Sequence, residues 1–407
     1  MNCRHCKTKL DQVFIDLGSM PPSNAYLTKD DLNKKETYYP LRVLVCTNCW
    51  LVQTEDFAQP DELFSADYAY FSSTSISWLR HAKEYCNYVI NEFNLSSDSF
   101  VVEIASNDGY LLKNFVDAGV PCLGVEPTAC TADAAEKLKI PVIREFFGEE
   151  LAKKMVRKGD KADLIIGNNV FAHVPDIKDF AIGMSLLLKS DGIINLEFPH
   201  LLSLVELCQF DTIYHEHFSY LSLTAVNAVF NSAGLRVFDV EKLDTHGGSL
   251  RVYGCKQDAP YKSSQQYKAI IENELNEGYT TINKFESFQE RVNCIRDECK
   301  KFLCDQKELD KISVGYGAAA KGNTLLNYAG VDQDLISFIC DAAKSKQGKY
   351  MPGSHIPILH PDKIKDVRPD YIIILPWNLR EEIMAELMYV REWGCKFVTF
   401  IPRLCVF

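Results

Sequence analysis

The chain has 407 residues, 47% hydrophobic and 24% charged, an ordinary globular composition that excludes a largely disordered or collagen-like polymer. Lys+Arg 44 against Asp+Glu 55 leaves a net charge of −11 with no basic stripe, so a nucleic-acid partner held through its phosphates is not expected. No apolar run approaches the ~20 residues of a spanning helix, which leaves no membrane partner to expect. The opening residues MNCRHCKTKLD lack a leader's charged-then-apolar pattern, so the expected location is the cytoplasm. Fifteen cysteines, an odd number, suit a reducing compartment where they stay thiols or bind metal.

Two C-x-x-C pairs, Cys3-Cys6 and Cys46-Cys49, lie 39 residues apart. Two such knuckles complete a tetrahedral S4 site suited to structural Zn²⁺, closed to catalysis by its four thiolates. Leu41 to Val45 reads as a strand leading into the second knuckle. Asp16 to Tyr26, with Pro21 and Pro22, reads as an insertion into a zinc-ribbon plan. Leu63 to Ser73 (LFSADYAYFSS) is either a core-packing tail or a substrate-facing lip carrying Tyr68 or Tyr70.

Phe100 to Ile104 is a buried-strand pattern running into Ala105-Ser-Asn-Asp-Gly109 and a helix from Tyr110. Small residues there let a cofactor approach the backbone. A second strand, Cys122 to Glu126, ends in a carboxylate 23 residues after Glu103, placed to accept both hydroxyls of a ribose. Further strands at Lys139 to Arg144, Ala162 to Gly167 and Gly192 to Glu197 give a doubly wound parallel sheet with its site at the strand C-terminal ends. The loop lacks the G-x-G-x-x-G of a dinucleotide site. A cofactor with ribose but no phosphate fits better, and S-adenosylmethionine is that cofactor. Its candidate residues are Glu103, Ala105, Ser106, Asn107, Gly109, Glu126, Pro127, Asn168 and Asn169.

Five of the nine histidines (173, 200, 215, 217 and 246) fall within 74 residues. In Tyr214-His215-Glu216-His217, an extended segment would put Tyr214 and Glu216 on one face and the two histidines on the other. H-E-x-x-H is absent, so acid–base chemistry is the reading, with Glu216 placed to orient an imidazole base. Thr245 to Arg251 is a glycine-containing loop whose Arg251 or amides meet an anionic or sugar ligand, unless it is a tight hairpin turn.

Gln265 to Gln306 reads as long connecting helices. Ile312 to Thr324 is a strand, glycine loop and helix, in which Gly315, Gly317 and Lys321 make a diphosphate cradle. Ile336 to Asp341, Tyr371 to Leu375 and Phe397 to Ile401 supply further parallel strands. Lys346 to His355 reads as a loop or lid.

The two knuckles, EIASNDGYLL, GVEPT, NNVFAHV, YHEHFSYLS, THGGSLR, GYGAAAKGNTLLN and GKYMPGSHIPI, in that order along almost the whole chain, resemble the deoxysugar C-3 methyltransferases. The resemblance implies an α/β chain of three parts: a small zinc-binding N-terminal domain (1–75), a central class I methyltransferase domain (76–260) and a C-terminal Rossmann-like domain (261–407). It further implies a nucleotide-diphosphate 4-keto-6-deoxysugar held between domains, with Tyr68, His173, His246, Arg251, Gly317, Lys321 and Asn323 as candidate substrate residues. The family's Y-x-E-H motif maps onto Tyr214, Glu216 and His217, making His217 the base. An active-site tyrosine from the N-terminal domain corresponds to Tyr70, with Tyr68 the alternative. Ala105 stands where methyltransferases commonly have glycine.

The implied chemistry removes the C3 proton beside a C4 ketone, stabilises the enolate through Tyr214, Tyr70 or another donor, and methylates C3. Three other readings stay open: the same architecture acting on a non-sugar ketone, a zinc-ribbon nucleic-acid methyltransferase, and a cofactor-binding scaffold without activity. Monomer is the default state.

Overall fold

The computed structural model describes residues 1–57, 71–74 and 76–407, and folds them around three sheets. Strands β1 (Gln12–Met20), β2 (Tyr39–Val45) and β3 (Val52–Thr54) form an antiparallel sheet beside the cysteine knuckles. Both knuckles close in one way: Lys7 N donates to Cys3 O at 3.1 Å, and Trp50 N donates to Cys46 O at 2.9 Å. Lys7 and Trp50 adopt the same left-handed backbone, at φ 61 and 59. The four Sγ atoms thereby lie within 4.8 Å of one another, with Cys3–Cys49 at 3.6 Å and Cys6–Cys46 at 3.4 Å. A tetrahedron of Zn–S bonds near 2.3 Å needs sulfurs about 3.8 Å apart, so the donor set fits zinc. The insertion starts later than the sequence suggested. Asp16 to Met20 belongs to β1, and the chain leaves the sheet at Pro21-Pro22, which have no N–H to give a ladder.

The central sheet contains β4 (Val101–Ile104), β5 (Cys122–Val125), β6 (Val142–Ile143), β7 (Ala162–Asn168) and β8 (Leu188–Pro199). After β8 the chain forms the short β9 (Ser219–Tyr220), then β10 (Leu235–Leu243) and β11 (Ser249–Lys256). Its order is β10-β11-β8-β7-β4-β5-β6. The five strands from β4 to β8 run parallel, but the expected all-parallel sheet is mixed: β10 and β11 form an antiparallel hairpin, and β11 runs against β8. A five-residue connection cannot carry a parallel crossover, so Thr245 to Gly248 make the hairpin turn. β9 leaves this unit and pairs with β3, extending the N-terminal sheet.

The third sheet has β12 (Ser313–Tyr316), β13 (Ile339–Cys340), β14 (Ile358–Leu359), β15 (Tyr371–Ile374), β16 (Lys396–Thr399) and β17 (Cys405–Val406). Its order is β14-β13-β12-β15-β16-β17, parallel except for β17. The preceding helix Phe288–Glu308 buries Phe288, Val292, Ile295, Cys299 and Leu303, one apolar stripe at helical spacing. Phe288 stacks on Phe14 of β1, ring centroids 4.5 Å apart. The N-terminal sheet is thus a wedge. One face shares a core with the third unit (Phe14, Met20 and Val43 with Val292, Leu325 and Ile373), while Leu10, Leu44 and Leu51 join the core of the central sheet. Among the described residues no helix is long and apolar enough to cross a membrane.

The purified chain should carry zinc at a single site, measured by elemental analysis. Cys46→Ser should lose the metal and lower the melting temperature by more than about 5 °C, because metal-binding energy is folding energy in so small a sheet.

Candidate active site

At the C-terminal ends of β4 and β5 the loop Ala105 to Gly109 turns sharply, with positive φ at Ala105, Asn107 and Gly109. Ala105 N donates to Val125 O at 2.8 Å, tying the loop to β5. Glu126, the first residue after β5, accepts Asn107 N at 3.0 Å and Thr128 N at 2.9 Å, and its remaining lone pairs suit ribose hydroxyls. Pro127 follows it into the helix Ala129–Lys137. Glu103 is buried with Oε2 lacking a hydrogen-bond partner among the described residues. Burial, then Glu126 and Asp108, raise its pKa well above the usual range. Asn168 Oδ1, at the end of β7, is likewise buried and unpaired. A loop of small residues, a ribose-type carboxylate and an orphaned buried acceptor fit S-adenosylmethionine, which brings donors and a positive charge. Ser72 N on Asn107 Oδ1 (2.9 Å) and Ser73 N on Asp108 Oδ2 (3.1 Å) lay the chain entering the helix Ile76–Glu92 over this loop.

Tyr214 to His217 is a tight turn, not the extended segment the alternation suggested, because His217 N donates to Tyr214 O at 2.9 Å. The turn puts Tyr214 and His217 together, with Tyr214 OH donating to His217 Nε2 at 2.8 Å. His217 Nδ1–H donates to Thr212 O at 2.7 Å, which fixes the tautomer and leaves Nε2 as the basic nitrogen. Thr212, not Glu216, therefore orients the imidazole. Burial, reinforced by His173, holds the His217 pKa well below its ordinary value, so the ring is neutral. His173 lies edge-on to it with centroids 4.6 Å apart, and its Nδ1–H donates to Glu216 O at 2.8 Å. Glu216 points its carboxyl elsewhere: Oε1 accepts Asn24 Nδ2 at 3.1 Å, Oε2 is buried without a partner among the described residues, and burial pushes the pKa up to about 6. His215 faces the N-terminal sheet, at 3.3 Å from Tyr39 O.

The hairpin turn after β10 brings His246 in from another side, where Asn169 Nδ2 donates to its Nε2 at 3.0 Å. Burial lowers its pKa to about 4. From the third unit comes Trp377, whose Nε1–H donates to Asp211 Oδ2 at 2.7 Å. Its ring packs so closely on Gly247 that a Cβ there would lie 2.2 Å from it, and Gly247 has φ +91, so only glycine fits. Lys321 Nζ sits 4.8 Å from the Trp377 ring centroid and donates to Asn378 Oδ1 at 2.7 Å.

A zinc binding domain family matches residues 3–64, a methyltransferase domain family residues 78–240, and the C-methyltransferase C-terminal domain family residues 244–402. Over 401 residues the chain is 34% identical to the C-methyltransferase NovU of Streptomyces niveus, spanning 98% of this chain and 95% of that protein. The chain belongs to the C-methyltransferase family. Similar solved structures include magnesium protoporphyrin IX methyltransferase of Synechocystis with bound S-adenosylmethionine (12% identity, 44% of this chain and 79% of that one, TM-score 0.34). Another is an S-adenosylmethionine-dependent methyltransferase of Clostridium acetobutylicum (12% identity, 48% and 95%, TM-score 0.35).

In this S-adenosylmethionine-dependent C-methyltransferase, not every residue singled out from sequence meets the site. Arg251 is committed to ion pairs with Glu197 (2.7 Å) and Glu241 (2.9 Å) and stacks over Tyr85, so no anionic ligand is needed to explain it. Gly317 does not offer its amide to a diphosphate, because that N–H donates to Cys340 O at 2.7 Å. Ala318 N is likewise taken by Asp341 Oδ2. Gly317 is required instead because its φ is +84 and a Cβ would strike Pro376 at 2.5 Å. Asn323 is fully buried, with Oδ1 accepting from Asn327 and Nδ2 unpaired among the described residues. Ser106, within the cofactor loop, is fully buried and packs against Gly124 of β5. Tyr68 and Tyr70, and most of the aromatic stretch around them, lie outside the described residues. Asn24, Asp211, Trp377 and Asn378 carry no motif in the sequence; the insertion and the rarity of tryptophan are the only signals there.

Two measurements follow from this geometry. Glu126→Ala should weaken S-adenosylhomocysteine binding by roughly 10- to 100-fold in calorimetry, since hydrogen bonds to a charged acceptor are worth ~1.5–3 kcal/mol. Glu216→Gln should stabilise the fold at pH 8 by about 2 kcal/mol, because a carboxyl raised to about 6 is costly when ionised. That gain should vanish as pH falls toward the unfolded value of ~4.3, where both states protonate.

Proposed function

We propose that this enzyme methylates C3 of a nucleotide-diphosphate 4-keto-6-deoxysugar through a base-generated enolate, with Tyr70 or Tyr68 as a further active-site tyrosine. The observation that carries the reading is the Tyr214–His217 pair: a buried imidazole, neutral, with its tautomer fixed so that Nε2 is the base. Carbon acids need such a group, because the proton must leave to a base that is not already protonated. When bound, S-adenosylmethionine supplies an electrophilic methyl on its sulfonium. His217 Nε2 takes the C3 proton, and the electron pair moves onto the C4 oxygen. Tyr214 O–H, released from Nε2 as that nitrogen is protonated, donates to the enolate oxygen. Glu126 and the 105–109 loop would hold the cofactor so that its methyl passes to C3 as the C4 carbonyl returns, the carbon–sulfur electrons leaving on sulfur. Glu216 holds Asn24 with one oxygen and takes a substrate hydroxyl with the other. His173 and His246 line the sugar, and the zinc stays outside the reaction because four thiolates leave it no open position. The enzyme acts in the cytoplasm as a monomer on this small acceptor, without a nucleic-acid partner.

Deuterium wash-in at C3 of a 4-keto-6-deoxysugar nucleotide tests the reading directly by NMR in D₂O with S-adenosylhomocysteine present. Exchange should depend on His217 and fall at least ~10²-fold in His217→Ala. Methyl transfer that survives this substitution would contradict the assignment of the base. On the acid side kcat/KM should decline through an apparent value of about 6, set by the carboxyl of Glu216 and not by an imidazole. Glu216→Gln should remove that limb.

A further inference from the structure

Asp211, Trp377 and Lys321 come from separate stretches of chain and converge on the segment that carries the base. Asp211 is fully buried, with Oδ2 on the Trp377 indole and Oδ1 without a partner among the described residues. The indole ring is pinned between Gly247, next to His246, and the Lys321 ammonium on its face. Lys321 opens the helix Ala320–Ala329. One turn on, Thr324 Oγ1 donates to Ile213 O at 2.9 Å, which anchors the start of this helix against the segment carrying Tyr214 and His217.

We infer that Lys321 is the cation that stabilises the enolate oxygen during C3 deprotonation, and that Asp211, acting through Trp377, is the residue that positions it. The inference rests on the enolate reading above and assigns a charge to it that Tyr214, a neutral donor already engaged with His217, does not supply. A phenol donates one hydrogen bond, whereas a buried ammonium opposes the new negative charge in a low-dielectric site where the effect is large. Lys321 touches Trp377 and Asn378, and the titratable groups within electrostatic reach of it are Asp211, His217 and His246. Burial holds both histidines neutral, so Asp211 is the sole counter-charge among them. Burial lowers the Lys321 pKa and Asp211 opposes that shift. A cation–π contact and an acceptor oxygen on Asn378 both favour the ammonium over the free amine. The same surroundings argue against an imine between Lys321 and the C4 ketone, which requires the neutral amine. In the assigned step no bond to nitrogen forms. The C3 proton goes to His217 Nε2, the electron pair goes to the C4 oxygen, and Lys321 Nζ–H donates a hydrogen bond to that oxygen. The pair returns to carbon on methylation.

The test measures C3 wash-in at saturating sugar nucleotide for wild type, Lys321→Met, Lys321→Arg and Asp211→Asn, with nucleotide-sugar affinity determined separately by calorimetry. Lys321→Met should lower the exchange rate by ~10²–10³-fold while shifting the dissociation constant less than about threefold. Lys321→Arg should recover part of the rate and lose the alkaline limb of the pH profile. Asp211→Asn, which keeps an acceptor for Trp377, should move that limb to lower pH because the ammonium loses its counter-charge. A Lys321→Met enzyme that exchanges at the wild-type rate but binds the nucleotide weakly would make Lys321 a diphosphate ligand and overturn the assignment alone. Borohydride trapping of a wild-type adduct at Lys321, found by mass spectrometry, would overturn it in favour of the imine. No exchange and no methyl transfer by the wild type would overturn the enolate reading together with this one.

Discussion

The structure depends on how the polar backbone between Asp211 and Tyr220 is satisfied in the interior. Its carbonyls and amides cannot reach water, and leaving them unpaired would cost ~1–3 kcal/mol each. Three units share the task. Thr54 Oγ1 of β3 donates to His217 O at 2.5 Å, Thr324 Oγ1 of the C-terminal unit donates to Ile213 O, and β9 pairs with β3. Phe218 N finds Ala172 O within the central unit at 2.9 Å. The base therefore sits where it does only when all three units are assembled around it.

The electrostatics of the site follow from the same burial. His217, His173 and His246 are driven neutral, while the carboxyls of Glu216 and Asp211 are driven up to about 6. None of these groups gains stability from its charge, and the carboxylates cost it increasingly as pH rises from ~4 through about 6. Elsewhere the protein treats buried charge differently. Glu197, equally buried, would also be raised by desolvation, but His81 and Arg251 bring it down to about 2. The contrast separates a structural ion pair from a site held ready for an incoming ligand.

The zinc clip makes a small sheet rigid enough to act as a wedge. β3 has three residues and β9 two, too few to hold their register unaided. With the knuckles closed, the excursion after Pro21-Pro22 can extend far from its sheet. Asn24 reaches Glu216, Tyr26 OH reaches Ala318 O at 2.6 Å, and Leu27 bridges Tyr350. A structural metal thus contributes to the site from a distance, through the chain it anchors.

Much of this was legible in the sequence, for physical reasons that differ by element. C-x-x-C spacing by itself dictates two thiolates per turn, and the four cysteines meet as expected. The acid following β5 and the small residues following β4 belong to one contiguous strand–loop–helix–strand unit, so their proximity needs only the parallel pairing of neighbouring strands. Tertiary structure decided what local pattern could not. Alternation placed Tyr214 and His217 on opposite faces, but three long-range hydrogen bonds fold the segment into a turn and bring them together. Gly317 looked like a phosphate loop, yet its amide is spent on Cys340 and its missing side chain makes room for Pro376. Asp211, Trp377 and Lys321 are 56 to 166 residues apart in pairs and carry no shared motif. Their convergence is a property of packed surfaces, which no stretch of sequence contains.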